Sequence, residues 1–373
     1  MEMQKCCKSN KSSEKFEVSD LFLRISEQIN SDERPKTYEE TINYLVSSLH
    51  LSDICGDHLK VFDISADYMN GVIDFGGADV MVKICEALKE AVISSVAEEV
   101  AVRQNVRSVL IAGPSSSGKT TFCKKLSYAL QQQGLRPVGI SLDDYYGDSL
   151  NAPKDIDGKP DWESLYALNL PLLQEHIATL LGGGTIRLPR FDFTTGKGSL
   201  TDKTLHLEDG DILLLEGIHA LNPLLLTGAN VSPESFFKIY ISALTTRHEA
   251  DGTIFPTTDN RLIRRIVRDS QFRNATASRT LSRWDSVRRG EERWIVPFQG
   301  NADVNVNSAF QYEYCLLREH ALPLLEQVEA GTPEYDEAQR LIALLHKFHK
   351  VKVDYLPPYS LLREFLGGSA YEY

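Results

Sequence analysis

The sequence has no long apolar run and no C-x-x-C cysteine pair, and these absences exclude several classes of protein. No run of about 18 apolar residues occurs, and the polar first twenty residues contain no signal-peptide core, so we expect neither a transmembrane helix nor a secretory leader. The six cysteines are scattered without a C-x-x-C spacing, which indicates reduced thiols. We therefore expect a cytoplasmic protein.

Lysine is absent from residues 261–293, where ten arginines stand beside only four acids. The whole chain carries a formal charge of −12 and this stretch +6, so the remainder carries −18. The acidic balance argues against non-specific binding to nucleic acid or to an anionic membrane. A basic island in an acidic chain indicates a site for a small, highly charged anion.

The first 104 residues contain no motif that carries chemistry. Residues 1 to about 38 are rich in Lys, Ser, Glu and Asn and are expected to be mobile. Helical periodicity follows over residues 37–50 and 79–104. We interpret residues 1–104 as a mainly helical accessory segment, which is a candidate for contacts within a homo-oligomer.

From residue 105 to about 330, short apolar runs alternate with longer helical stretches, a pattern typical of a parallel α/β sheet. The near-continuous Val, Ile and Leu content of the best runs indicates strands covered on both faces. The sequence thus predicts an α/β fold, a doubly wound parallel sheet of the P-loop NTPase type with helices on both faces. A helical extension over residues 331–373 follows. The candidate strands are Ser108–Ala112, 137–142, Asp211–Glu216, Phe236–Ser242 and 302–306.

The first of these strands runs into a sequence that fits G-x-x-x-x-G-K-S/T without a mismatch, and a helical stretch follows it. Such a loop wraps backbone N–H groups around phosphates, so the motif predicts a nucleoside triphosphate with Mg²⁺. We expect Lys119 to reach the β- and γ-phosphates and the Thr120 hydroxyl to ligate the metal. The residues expected to bind the nucleotide are Gly113, Ser115, Ser116, Ser117, Gly118, Lys119, Thr120 and Thr121.

Acidic residues end two of the other strands, where ligands of a doubly wound sheet bind. Asp143 or Asp144 is placed to accept a proton from an attacking hydroxyl, and Asp143 is preferred because it directly ends the apolar run. Glu216 is expected to hold Mg²⁺ with Thr120, and Asp143 is included in this metal site. No DxxG or NKxD signature of a GTPase is found, so a kinase is the leading interpretation.

Arg261, Arg264, Arg265 and Arg268 recur at i, i+3, i+4 and i+7 and therefore share one face of a predicted helix. Like charges at this spacing repel one another, and a polyphosphate opposite them would form charge-assisted hydrogen bonds. Arg273 and Arg279 follow in a polar segment suited to a lid over the phosphates. The alternative is a charged helix whose arginines pair with acids elsewhere in the chain.

These motifs, in this order, resemble those of the uridine kinase/phosphoribulokinase family, in particular a uridine-kinase-like branch with an N-terminal extension. The resemblance covers roughly residues 80–373. The segments that carry it are IAGPSSSGKTTF, SLDDYY, PRFDF, LLLEGIHALNP, TDNRLIRRIVRD and PPYSLLREFLGG.

The resemblance implies ATP-dependent phosphorylation of a primary hydroxyl, which in uridine kinases is the 5′-OH of uridine or cytidine. It implies that Asp143 is the base and that Lys119 and Arg268 act in catalysis. The residues implied to contact phosphates or to form the lid are Arg265, Arg268 and Arg273. Those implied to bind the acceptor are Tyr146, Trp162, Glu163, Phe191 and Arg264.

Two positions depart from the uridine kinase pattern. Gly196 stands where a base-reading His is expected, and Arg283 replaces a Gln of the lid region. Because losing groups that hydrogen-bond a substrate changes specificity, a second hypothesis is a sugar or sugar phosphate as acceptor. The extra arginines Arg288 and Arg289 also motivate it. A third hypothesis is a nucleotide-binding regulatory protein without kinase turnover.

Overall fold

The protein is described by a computed structural model that covers residues 62–372 except 64–65, 75, 149, 151, 193–194, 229–230 and 249–253. Residues 58–373 form one compact unit. The predicted mobile segment before residue 38 and the predicted helix at residues 37–50 lie outside the described residues.

A five-stranded, all-parallel sheet forms the centre of this unit. Its strands are β2 (Ser108–Ala112), β3 (Arg136–Ser141), β6 (Asp211–Glu216), β7 (Phe236–Ser242) and β10 (Val304–Asn307). They lie in the order β10–β7–β2–β6–β3. All five predicted strands are present, and the predicted α/β class is confirmed.

The sheet is covered by helices on both faces because alternate side chains of its buried strands point in opposite directions. Helix α3 (Lys119–Gln132) packs on one face, and α2 (Ala78–Val102) packs along α3. Helix α4 (Leu170–Leu181) covers the other face, where its leucines join a core cluster with Leu110 and Leu213. This arrangement is the predicted doubly wound fold.

The carboxyl ends of β2, β3 and β6 meet at one edge of the sheet. Ile111 pairs with Glu216, and Glu216 pairs with Ser141. The loops that follow these three strands therefore converge, as expected where ligands bind in such sheets.

The remaining α-helices and strands of the described residues lie outside this five-stranded sheet. They are β1 (Phe62–Asp63), α1 (Ala66–Asp74), β4 (Thr185–Asp192), β5 (Lys197–His206), β8 (Thr245–His248), β9 (Ile254–Phe255), α5 (Thr258–Phe272), α6 (Ala277–Trp294), α7 (Glu313–Leu325), α8 (Tyr335–His346) and α9 (Arg363–Leu366). Strands β4 and β5 form an antiparallel hairpin, whereas β8 joins β1 and β9 in a small mixed sheet.

The sequence boundaries at residues 104 and 330 do not separate compact units, since both fall inside the unit of residues 58–373. The predicted accessory helix is α2, and it packs on α3, directly after the phosphate loop. In the predicted C-terminal extension, α8 packs on α7 and α9 packs on α5. Buried apolar side chains on both segments explain why they join the core.

Within the described part of the chain, no helix is both long and apolar enough to cross a membrane.

Phe365 tests whether the C-terminal segment is part of the core. Its side chain is fully buried, so Phe365→Ala is expected to lower the free energy of unfolding by about 3–5 kcal/mol. Phe272→Ala is the matched control, because Phe272 is 58% exposed and should change stability much less. Urea unfolding of the three proteins measures both effects, and equal stability of Phe365→Ala and wild type would contradict the packing.

Candidate active site

The phosphate loop, residues 113–118, connects β2 to α3 and turns its carbonyl groups away from the space that it encloses. Lys119 Nζ donates to the Pro114 carbonyl at 3.2 Å, and the Ser308 hydroxyl donates to the Ser117 carbonyl. The Ser115 carbonyl accepts from Arg261 of α5 at 3.1 Å, and the Ser116 carbonyl accepts from Arg264 of α5 at 3.3 Å. Because the carbonyls of Ser115, Ser116 and Ser117 are held by α5 and by Ser308, the peptide units that they belong to turn their N–H groups the other way.

Two buried hydroxyls of the loop have no partner within the described part of the chain, namely Ser116 Oγ and Ser117 Oγ. Ser116 also has a φ of 60°, a left-handed conformation that is costly for a serine. Buried polar groups are normally satisfied, and strained backbone is concentrated at ligand sites. The loop thus has the form of a polyphosphate cradle at the N-terminus of a 14-residue helix.

Three oxygen-bearing side chains converge beside the loop. Thr120 Oγ1 lies 3.4 Å from Glu216 Oε1, and Ser141 Oγ lies 3.5 Å from Glu216 Oε2. Burial raises the pKa of Glu216 to about 7, while the positive charge of Lys119 opposes that rise and the negative charge of Asp143 adds to it. A cation would hold Glu216 in its charged form.

This oxygen set fits Mg²⁺, which takes few protein ligands and completes its shell with water and phosphate oxygens. No cluster of three or more His, Cys, Asp or Glu residues suited to a metal occurs among the residues that the structure describes. A metal held jointly by Thr120, Glu216 and a bound phosphate is consistent with both observations.

Asp143 and Asp144 lie in the short 3₁₀ turn after β3, and their surroundings differ. The negative charge of Asp143 acts on Glu216, on Tyr146 and on Arg273, so Asp143 lies on the side of the phosphate loop. Asp144 instead accepts a hydrogen bond from the backbone of Phe191 in β4. Burial raises the pKa of Asp144. The assignment of Asp143 rather than Asp144 as the base stays a prediction.

The predicted acceptor residues Tyr146, Trp162 and Phe191 form an aromatic cluster, with ring centroids between 5.6 and 6.5 Å apart. Tyr146 Oη donates to the Trp162 carbonyl at 3.0 Å, which fixes the tyrosine ring. Such a cluster offers an apolar surface on which a flat ring or a sugar face can pack.

Glu163 lies next to this cluster and is buried, and its Oε2 has no hydrogen-bond partner in the described part of the chain. Burial raises the pKa of Glu163 to about 7, although the charge of Arg265 opposes the rise. Helix α6 approaches the side chain closely at Gly290, where a Cβ atom would lie 2.4 Å from Glu163 Cβ. A glycine is therefore required in mid-helix, at some cost in helix propensity.

The arginine face of α5 is helical as predicted, but its members have different tasks. Arg261 pairs with the fully buried Glu291 at 2.5 and 2.8 Å, and Arg264 pairs with the fully buried Glu313. Both arginines support carbonyls of the phosphate loop. Arg261 and Arg264 therefore follow the alternative hypothesis, in which arginines of this helix pair with acids elsewhere in the chain.

The prediction that Arg264 binds the acceptor is wrong. Its side chain is fully buried, and its guanidinium donates to Glu313, to the Ser116 carbonyl and to Ser308. These contacts, together with the ring of Phe365 at 5.0 Å, place the guanidinium among α5, α7, α9, Ser308 and the phosphate loop. Arg264 is a support of the loop.

The other two arginines of this face, Arg265 and Arg268, surround the carboxylate of Asp269 together with Arg273, the residue after α5. Arg268 donates to it at 2.7 and 2.9 Å, Arg265 lies 3.4 Å from it and Arg273 lies 3.8 Å from it. Arg265 also donates to Ser115 Oγ of the phosphate loop at 2.9 Å. The charge of Arg268 is the main cause that lowers the pKa of Arg273 to about 10. The three guanidinium groups carry more positive charge than Asp269 alone balances, and the charges of Glu163 and Asp143 also act on Arg265 and Arg273.

The two departures from the uridine kinase pattern lie outside the aromatic cluster. Gly196 is in the turn between β4 and β5 with a φ of 68°, and its N–H donates to the Asp192 carbonyl at 2.7 Å. Arg283 is exposed on α6. The turn has a left-handed conformation at residue 196, which favours glycine. No side chain is therefore present at this position to contact an acceptor.

Reasoning from the sequence missed the acids that complete this region, Glu291, Glu313 and Glu364. The first two neutralise Arg261 and Arg264, and Glu364 Oε2 accepts from Thr121 N at 3.1 Å. Only Asp269 carried a local signal, since it lies four residues after Arg265 on the same helix. The others come from distant parts of the chain.

Comparison with known proteins agrees with this geometry. Residues 109–313 match the phosphoribulokinase/uridine kinase family. The chain belongs to this family. It is 29% identical over 197 residues to a uridine kinase from Lactobacillus helveticus, covering 52% of this chain and 83% of that one. A uridine kinase from Deinococcus deserti is 28% identical over 195 residues, covering 52% of this chain and 84% of that one.

Solved structures similar to this member of the phosphoribulokinase/uridine kinase family include two bacterial proteins. One is a putative fructose transport system kinase from a Silicibacter species, with a TM-score of 0.42 and 18% identity over 57% of this chain and 98% of that one. The other is a possible uridine kinase from Bacillus stearothermophilus, with a TM-score of 0.38 and 20% identity over 58% of this chain and 97% of that one.

The raised pKa of Glu163 predicts a pH-dependent stability. In the folded state the group is protonated below about pH 7, so its stabilising contribution is present at low pH and is lost as the pH rises through 7. The glutamine of Glu163→Gln stays neutral at every pH. At pH 8, the free energy of unfolding of this variant is therefore expected to exceed that of wild type by about 2 kcal/mol. At pH 4 the two proteins should be equally stable.

Urea unfolding at pH 4 and pH 8 measures this difference. Glu292→Gln on α6 is the control, because Glu292 is 64% exposed and its replacement should shift stability by no more than about 0.5 kcal/mol at either pH. A Glu163→Gln protein that is less stable than wild type at pH 8 would contradict the assignment.

Proposed function

We propose that the protein is an ATP-dependent kinase that transfers the γ-phosphoryl group to a primary hydroxyl, with the 5′-OH of a nucleoside such as uridine or cytidine as the first candidate. The observation that carries this proposal is the arrangement of three groups around one space. These are the phosphate loop with its outward carbonyls, the Thr120–Glu216 pair and Asp143 at the neighbouring strand end.

At the nucleotide end, the backbone N–H groups of the loop and Lys119 bind the phosphates, and Thr120 and Glu216 hold Mg²⁺. A bound Mg²⁺ would neutralise negative charge of the phosphates. Arg265, Arg268 and Arg273 stabilise the negative charge that develops on the transferring group, since they carry more positive charge than Asp269 balances.

At the acceptor end, Tyr146, Trp162 and Phe191 bind a flat ring or sugar face, and Glu163 accepts hydrogen bonds from acceptor hydroxyls. The unpartnered Oε2 of Glu163 supports this role, because a buried carboxylate without a donor is costly. Asp143 accepts the proton of the attacking hydroxyl, so that the oxygen becomes a better nucleophile as the bond to phosphorus forms.

The second candidate is a sugar or sugar phosphate as acceptor. Two of the extra arginines that motivate it have partners of their own: Arg288 pairs with Glu291 and Glu292, and Arg289 pairs with Asp157. Arg283 is exposed, and the left-handed turn at Gly196 removes a base-reading side chain. The ion pairs of Arg288 and Arg289 favour a neutral acceptor over a sugar phosphate. The exposed Arg283 and the glycine at residue 196 keep a sugar as a candidate acceptor.

ADP release from Mg-ATP, measured against nucleosides, sugars and sugar phosphates, tests the proposal. Turnover with a nucleoside is the expected result, and Lys119→Ala should abolish both ATP binding and turnover. Turnover with a sugar phosphate alone would replace the nucleoside by the second candidate. Tight ATP binding without turnover on any acceptor would favour a regulatory protein.

Asp143→Asn tests the assignment of the base. It is expected to lower kcat by about 10²–10⁴-fold, because the general base is lost while the phosphate loop is intact. The affinity for ATP should change little. Asp144→Asn is the matched control, since the Asp144 carboxylate accepts from the backbone of Phe191. A large loss in Asp144→Asn with little loss in Asp143→Asn would move the base to Asp144.

A further inference from the structure

The C-terminal segment of residues 357–368, here called the tail segment, lies directly against the phosphate loop. A Cβ atom placed on Gly118 would lie 2.3 Å from Leu361 Cδ2, so Leu361 touches the end of the loop. Three residues later, Glu364 reaches the first turn of α3. The tail segment is thus part of the wall of the nucleotide site.

Glu364 Oε2 accepts two hydrogen bonds from Thr121, from its N–H at 3.1 Å and from its hydroxyl at 2.7 Å. This N–H is among the first of α3 and therefore has no intrahelical acceptor. Donors in the first turn after a phosphate loop point at the bound phosphates. A carboxylate oxygen of Glu364 thus stands where a phosphate oxygen would bind.

The backbone of the tail segment is firmly held. The Ser360 hydroxyl donates to the buried carboxylate of Glu86, and Lys125 Nζ donates to the Tyr359 carbonyl at 2.9 Å. Leu362 and Phe365 are fully buried, and the guanidinium of Arg264 lies 5.0 Å from the centre of the Phe365 ring. The group that can yield to a ligand is therefore the Glu364 side chain, which is half-buried.

We propose that Glu364 sets the nucleotide affinity of this protein by occupying phosphate-binding donors of α3 in the ligand-free state. The inference rests on the proposed function, since the ligand that displaces the carboxylate is the triphosphate. Binding requires the Glu364 side chain to rotate away from Thr121, and its negative charge then remains next to the phosphates. Both effects weaken binding relative to a protein without this carboxylate.

The test compares the affinities of wild type, Glu364→Gln and Glu364→Ala for Mg-ATP by isothermal titration calorimetry. Each variant should bind Mg-ATP about tenfold more tightly, the change expected when a charge-assisted hydrogen bond no longer competes. Without nucleotide, both variants should have a lower midpoint of thermal unfolding, because the carboxylate caps α3 in that state. Glu364→Gln keeps the shape of the side chain and guards against loss of folding in Glu364→Ala.

Glu319→Gln is the matched control for net charge. Glu319 is 44% exposed and pairs with Lys350, so its replacement removes one negative charge without touching the phosphate loop. Equal affinity of wild type and Glu364→Gln for Mg-ATP, or weaker binding by Glu364→Gln, would overturn the inference while leaving the proposed function intact. Absence of ATP binding by both proteins would overturn the proposed function and this inference together.

Discussion

The buried pair of Arg264 and Glu313 is the contact on which the geometry of the phosphate site depends. The guanidinium of Arg264 joins α5 to α7 and to the residue after β10, and it also donates to the Ser116 carbonyl. Burying two charges is costly unless their hydrogen bonds are complete. Here the donors of Arg264 are distributed over Glu313, Ser116 and Ser308, so the pair can hold the loop as well as itself.

These contacts determine the direction in which the peptide units of the phosphate loop point. A peptide unit that turns its carbonyl outward turns its N–H inward, and the carbonyls of Ser115, Ser116 and Ser117 accept from α5 and from Ser308. The left-handed φ of Ser116 lies in the middle of this run. The backbone of the loop is thus held by side chains from α5 and from the residue after β10.

The rest of the site is left electrostatically incomplete. Glu216 and Glu163 are buried carboxyl groups with a pKa of about 7, and the arginines around Asp269 carry excess positive charge. Each of these groups lacks what a ligand would bring: a cation for Glu216, hydroxyl donors for Glu163 and an anion for the arginines. Perturbed groups of this kind are concentrated in functional sites, where stability is sacrificed for binding.

The sequence predicted the parts of this structure that local patterns encode. The strands and the phosphate loop are such parts, because strand periodicity and the glycine-lysine motif act over a few residues. The hairpin of β4 and β5 is not among the predicted strands, since most of β5 is polar and exposed and has no apolar alternation. Helical spacing also placed Arg261, Arg264, Arg265 and Arg268 on one face, but spacing cannot tell which partner each one meets.

The partners of those arginines come from far along the chain. Glu291 and Glu313 lie 30 and 49 residues beyond Arg261 and Arg264, and Glu364 lies 243 residues beyond Thr121. Only the packing of α5 against α6, α7 and α9 decides that two arginines support the loop while Arg265 and Arg268 are left with Asp269. The two groups of arginines have the same local sequence character and differ in tertiary surroundings alone.

The nucleotide end and the acceptor end of the site differ in the same way, because one is encoded by a local motif and the other by tertiary surroundings. At the nucleotide end, the loop motif supplies the backbone groups, so a triphosphate site was predicted from a short motif. At the acceptor end, the proposed recognition depends on a few side chains from unrelated segments, among them Tyr146, Glu163 and Phe191. An aromatic surface accepts many rings, and a buried carboxylate accepts many hydroxyls. Under the proposed function, the choice among acceptors would depend on further positions such as 196 and 283, where the sequence predicts a departure from the uridine kinase pattern.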